Sequence, residues 1–104
     1  MISYEVTLQV EPALAAAVED HMRREHIPGI FATGCFRRIR FWRVSPARFR
    51  TGYEARAAAD LERYLRDHAA AFRAEFQSAF PRGVTITRET WTEVESWGES
   101  ATTM

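Results

Sequence analysis

EHIPGIFATGCF, residues 25–36, closes a helical pattern and opens a strand, and this change of period decides the fold. Before it, Leu14, Val18, His21, Met22 and Glu25 recur at helical spacing behind Pro12, a residue that a first helical turn accepts without losing a bond. Ile27 precedes Pro28 and is pushed away from helical angles, so the helix is expected to end near His26. After it, residues 35–44 read as a strand and residues 48–55 as another, joined through Ser45-Pro46-Ala47 in a hairpin. Gly52 interrupts the second of these and suggests a bulge or the close approach of another backbone.

Working outward, Ile2, Tyr4, Val6, Leu8 and Val10 alternate with Ser3, Glu5, Thr7 and Gln9, the period of two of a strand with one buried face. Residues 57–80 place Leu61, Tyr64, Leu65, His68, Phe72, Phe76 and Phe80 three and four apart, which predicts a second helix with a bend near Ala69-Ala70-Ala71. Pro81 and Gly83 stop it, and the Thr- and Val-rich residues 84–94 supply a fourth strand. The order is βαββαβ. With right-handed crossovers it gives a ferredoxin-like α+β fold: a four-stranded antiparallel sheet, both helices on one face, strands one and three central. One domain is expected over residues 1–95, with a flexible tail over 96–104.

The chain has 104 residues, so one core and a single domain are expected. It is 46% hydrophobic and 27% charged with no apolar run of bilayer length and no signal-peptide pattern, so a cytoplasmic location without membrane insertion is expected. Cys35 is the only cysteine and cannot form an internal disulfide; it reads as a small buried thiol at a strand start. Net charge is zero, yet Arg37, Arg38, Arg40, Arg43, Arg48 and Arg50 fall in a segment with no acid, whereas Glu89, Glu93, Glu95 and Glu99 follow Arg88 with no further base. All 14 basic side chains are arginine, which suits forked contacts to carboxylates or phosphates but equally fits a coding bias.

The sheet face away from the helices is expected to carry Glu5, Thr7 and Gln9, with Arg38, Arg40 and Trp42 in one of the two phases of strand two. An open face with aromatic and arginine side chains invites a second copy of the sheet, so a homodimeric α+β barrel is expected, its two-fold axis bringing the arginine edge to the glutamate edge. Nucleic acid is set aside: the hairpin interleaves Phe36, Phe41, Trp42 and Phe49 with arginines, but a pI near 6.8 is low for such a binder.

Tyr4-Glu5-Val6-Thr7, Met22 followed by His26-Ile27-Pro28, Thr33-Gly34 with Phe36, Tyr53, and Leu61 with Tyr64 together resemble an uncharacterised bacterial family, domain-of-unknown-function family 4286, over nearly the whole chain. More distantly the chain is similar to the dimeric α+β barrel proteins. That wider group includes small monooxygenases without metal or organic cofactor, lactone isomerases, decarboxylases, haem-handling proteins and structural dimers. The resemblance implies the fold; it carries no established catalytic residue across.

The chemistry-bearing residues gather around the end of the first helix. His21 and Glu25 are four apart on one face, a spacing at which a carboxylate can hold an imidazole in one tautomer. His26, in the last turn, reads either as a cap of helix carbonyls or as a general base at a pocket mouth, with Tyr4, Trp42, Tyr53 and Tyr64 as ligand contacts. His68, flanked by Leu65 and Phe72 at helical spacing, reads as a core histidine first and a ligand contact second. No metal is expected, because consecutive Glu25 and His26 point about 100° apart on an α-helix. No cofactor is expected either. The function so read is the binding of a small organic ligand between helices and sheet. A non-catalytic dimerisation module is the alternative, and a cofactor-free monooxygenase or isomerase a further one.

Overall fold

A computed structural model describes residues 1–99; the rest of the expected tail lies outside the described residues. Strand β1 (Ile2–Val10) leads through a 3₁₀ turn (Pro12–Leu14) into α1 (Ala15–His21), a π-helical turn (Met22–His26) and α2 (Ile27–Phe31), which together form one helical arm. The hairpin β2 (Arg38–Ser45) and β3 (Arg48–Ala55) follows, then α3 (Ala58–Asp67), α4 (Ala69–Ala79) and β4 (Val84–Thr92). The sheet order is β2-β3-β1-β4, antiparallel throughout, with β1 and β3 central as the pattern predicts. The fold is ferredoxin-like α+β.

The first helix does not stop at His26. It continues through Pro28 to Phe31, and its backbone makes room for the proline by widening: the Ile27 N–H donates to the Met22 carbonyl, five residues back. Proline in an α-helix interior loses a bond and drives its ring against the carbonyl four residues earlier. A π turn immediately upstream removes that conflict and lets Pro28 open a fresh α segment, where its missing N–H costs nothing. The true stop is Thr33-Gly34: the N–H groups of Thr33 and Gly34 donate to the Ile30 and Phe31 carbonyls, and Gly34 takes the left-handed φ of +77°.

Three further differences have local causes. Strand β2 starts at Arg38 instead of residue 35, because Cys35 and Phe36, 2% and 4% exposed, dive into the core straight after the Gly34 turn. Cys35 is therefore buried as expected, but ahead of the strand. The second helix is broken at His68, where φ is −128°, one residue before the alanine run. Gly52 makes no bulge; its neighbours stay in register with β1 and β2. A Cβ there would stand 2.7 Å from Oε2 of Glu5, so the missing side chain gives space to a carboxylate and not to a backbone. The only shift in that pairing is at the hairpin end, between Arg43 and Ser45. Beyond Thr92, residues 93–99 carry no helix or strand.

The helix-facing side of the sheet holds two apolar clusters. Tyr4, Ile30, Phe36, Tyr53, Leu61 and Tyr64 form one, and Leu8, Val10, Val18, Met22, Phe49 and Phe76 the other. Burying side chains of this size contributes about 1.5–3 kcal/mol each. The break at His68 lets α3 deliver Leu61 and Tyr64 to the first cluster while α4 delivers Phe76 to the second. Among the described residues no helix is long and apolar enough to cross a membrane.

Candidate functional site

The two clusters do not close on each other. Between them lies a cavity of about 220 Å³, floored by Tyr4, Val6, Leu8 and Tyr53 of the sheet and Ile86 and Arg88 of β4, and walled by Met22, His26 and Ile30 of the arm. Tyr64 of α3 and Phe72, Arg73, Phe76 and Gln77 of α4 complete it. Tyr4, Tyr53 and Phe36 pack ring against ring with centroids 5.4–6.1 Å apart where they share partners, fixing the tyrosine wall. The Arg73 guanidinium donates to the Tyr4 hydroxyl at 2.9 Å. Burial raises the pKa of Tyr53 well above the ordinary phenol value, and burial with the neighbouring tyrosine pushes Tyr64 up to about 12. Tyr53 and Tyr64 therefore meet a ligand as O–H groups.

His26 reaches this wall because the arm is π-helical at its turn. In an α-helix His21 and His26, five apart, would point about 140° from each other. The wider turn brings them to one side, ring centroids 6.2 Å apart, where α4 supplies a shared partner: Glu75. Nε2 of His21 is 2.9 Å from one carboxylate oxygen and Nδ1 of His26 is 3.2 Å from the other. Glu25 holds the opposite nitrogen of His21, Nδ1, at 2.9 Å, so the expected i,i+4 pair is present. Both imidazoles lean on phenylalanines, His21 on Phe80 at 5.4 Å and His26 on Phe76 at 5.4 Å.

Burial holds the His26 pKa below its ordinary 6.5, against the opposing pull of the Glu75 carboxylate, with the nearby His21 adding to the lowering. Its Nδ1 is taken by Glu75, which leaves Nε2 for whatever enters the cavity. Glu75 is the residue sequence reasoning missed. It is half-exposed on α4 and four before Ala79 with nothing unusual around it; only the break at His68 and the π turn bring it between two histidines 49 and 54 residues away.

The expected residues thus divide. Tyr4, Tyr53, Tyr64 and His26 line the cavity together; His21 and Glu25 stand behind His26 and outside the lining. His68 sits half-buried at the α3–α4 junction, stacked on Tyr64 at 6.3 Å, and contributes nothing to the cavity wall. Trp42 is on the opposite sheet face, 55% exposed, with Arg38, Arg40, Arg50 and Trp91. It cannot touch a molecule in this cavity. Donor atoms of His21, His26 and Glu75 lie within 4.8 Å of one another, a two-imidazole, one-carboxylate group able to hold a divalent ion if the carboxylate released its present bonds.

The whole described fold matches a known family model, "Domain of unknown function (DUF4286)", over residues 1–94. The chain belongs to this family. Among solved structures, it is similar to a protein of unknown function from Nitrosomonas europaea at 16% identity, with 94% of this chain and 95% of that one covered and a TM-score of 0.64. An ethyl tert-butyl ether (EthD) family protein from Bacillus halodurans gives 16% identity, coverage of 90% and 100%, and a TM-score of 0.68. A candidate antibiotic biosynthesis monooxygenase from Deinococcus radiodurans gives 14%, 97% and 100%, and 0.65. At these identities the likeness is one of fold. No curated protein matches the chain in sequence.

Proposed function

We propose that this DUF4286 protein acts as a cytoplasmic homodimer that binds a small organic molecule in the cavity between the helical arm, α4 and the sheet. The observation that carries this reading is the cavity itself: a gap of mixed polar and apolar lining between two well-packed apolar clusters, into which one imidazole and three phenols converge. Apolar walls with a few converging polar groups are the usual anatomy of a ligand site, and about 220 Å³ is below the ~300 Å³ lower end for drug-sized ligands, so the molecule is small.

His26 has the position and protonation state of a general base. It is held neutral by burial, oriented through Nδ1 by Glu75, and presents Nε2 to the bound molecule. Removal of a proton from a phenol or an acidic carbon is the step this arrangement supports. The competing reading, a non-catalytic module in which His21, Glu75 and His26 only tie the arm to α4, is favoured by the same hydrogen bonds.

A thermal-shift screen of phenols, lactones and small organic acids against wild type and His26→Ala separates the two. A ligand present at about a hundred times its Kd stabilises by about 2.7 kcal/mol, a shift of several degrees for a domain of this size. Several degrees of protection in wild type, reduced in His26→Ala, supports the binding function. No protection by any compound supports the module.

A further inference from the structure

We propose that the molecule this cavity takes is an organic anion, a small carboxylate whose charged end is gripped by Arg73 and Arg88 while its hydrocarbon body lies among Phe72, Phe76 and Ile86. This deepens the ligand-binding reading and rests on it.

The charge of the lining carries the argument. No aspartate or glutamate is among the residues around the cavity, whereas two arginines are, one from α4 and one from β4. Several arginines elsewhere pair with carboxylates, Arg24 with Asp20, Arg37 with Glu54 and Arg43 with Glu19, and Arg38, Arg40 and Arg50, unpaired among the described residues, stand on the sheet face away from the cavity. Among the described residues neither Arg73 nor Arg88 has a carboxylate within salt-bridge distance. Glu75, which bonds His26 of the lining, is not itself in the lining and is held by both imidazoles.

The two guanidiniums act on the same interior. Both lower the pKa of Tyr64 against the effect of burial, and Arg88 does the same for Tyr53, so their fields reach the phenols from opposite walls. Arg73 is fixed by its bond to the Tyr4 hydroxyl, which spends one donor and leaves the rest of the fork for a carboxylate. A low-dielectric gap with uncompensated positive charge at its rim attracts anions and gains little from cations or neutral amides.

The test is a solution NMR titration of the intact protein at pH 7 with benzoate and hexanoate, each against its neutral amide, following the ring resonances of Tyr4, Tyr53 and Tyr64. At least one acid is expected to bind about tenfold or more tightly than its amide, as charge-assisted contacts to arginine do. Arg88→Gln, on an exposed edge strand, should bring that ratio close to one, and Arg73→Gln should reduce it. Arg82→Gln, on the turn outside the cavity, should leave it unchanged. Acid and amide binding alike, or a preference untouched by Arg88→Gln, overturns the anion proposal and leaves the cavity reading standing. If none of the four compounds moves the tyrosine signals, both fall.

Discussion

At the scale of single residues, the molecule turns on where imidazoles and carboxylates meet. His26 in the unfolded chain titrates near its ordinary 6.5, and in the folded protein lower, chiefly because it is buried. Between those two values the unfolded chain holds the extra proton, so stability is full above 6.5 and declines as pH falls through that value toward the folded one. Urea denaturation of wild type at pH 7.5, 6.5 and 5.5 should show this decline, and His26→Gln should flatten part of it; equal slopes in the two proteins would contradict the assignment. Gly34 offers a cleaner backbone test. Its φ is +77° and a Cβ there would meet nothing within 4 Å, so Gly34→Ala should cost only the left-handed conformation, about 1–2 kcal/mol in chemical denaturation. A loss much larger than that would mean the cap is not what ends the arm.

At the scale of elements, Phe76 matters most, since it is 5% exposed, belongs to the second cluster and also walls the cavity. Phe76→Ala should destabilise by about 3–5 kcal/mol, read from a denaturant midpoint at unchanged slope. Most of the element plan was legible in the sequence. The alternation of β1, the hairpin and the stripe of Leu61, Tyr64, Phe72 and Phe76 are strong periodic signals, and the sheet order followed from them. The phase of β2 was open, and the structure chose the one with Arg38, Arg40 and Trp42 outward. What stayed hidden was non-periodic. Pro28 reads locally as a stop, and only a turn that bonds five residues back can carry a helix through it. The same turn redirects His26, so the error about the helix end and the omission of Glu75 have one cause. The separation of Trp42 from the tyrosines was hidden for a different reason: side-chain type marks a residue as a candidate, but the pleat decides which side of the sheet it serves.

At the scale of the whole molecule, the open sheet face carries the case for a second copy. Across it runs a row set by strand register, Arg40, Gly52, Glu5 and Glu89, basic at the β2 edge and acidic at the β4 edge. Trp42 and Trp91 remain 55% and 44% exposed on this face, with the Arg50 guanidinium 5.0 Å from the centre of the Trp91 ring. A two-fold axis between two such sheets would lay Arg40 over Glu89, orienting the pair more than strengthening it. In sedimentation velocity the proposed dimer should weaken only modestly as salt rises and markedly on Arg40→Glu; a protein that sediments as a monomer at every concentration would remove it. The π turn has one more consequence, for how the family tolerates change in length. Between Met22 and His26 the arm holds one residue more than an α turn needs, so a single-residue deletion there would leave His21 and His26 four apart, about 40° from each other and still on one side, but would drive the proline ring back against the carbonyl four residues before it. Such a shortened chain would still fold its sheet and aim its imidazole inward, while its arm kinked or ended at Pro28: the surplus residue is what carries the helix past the proline.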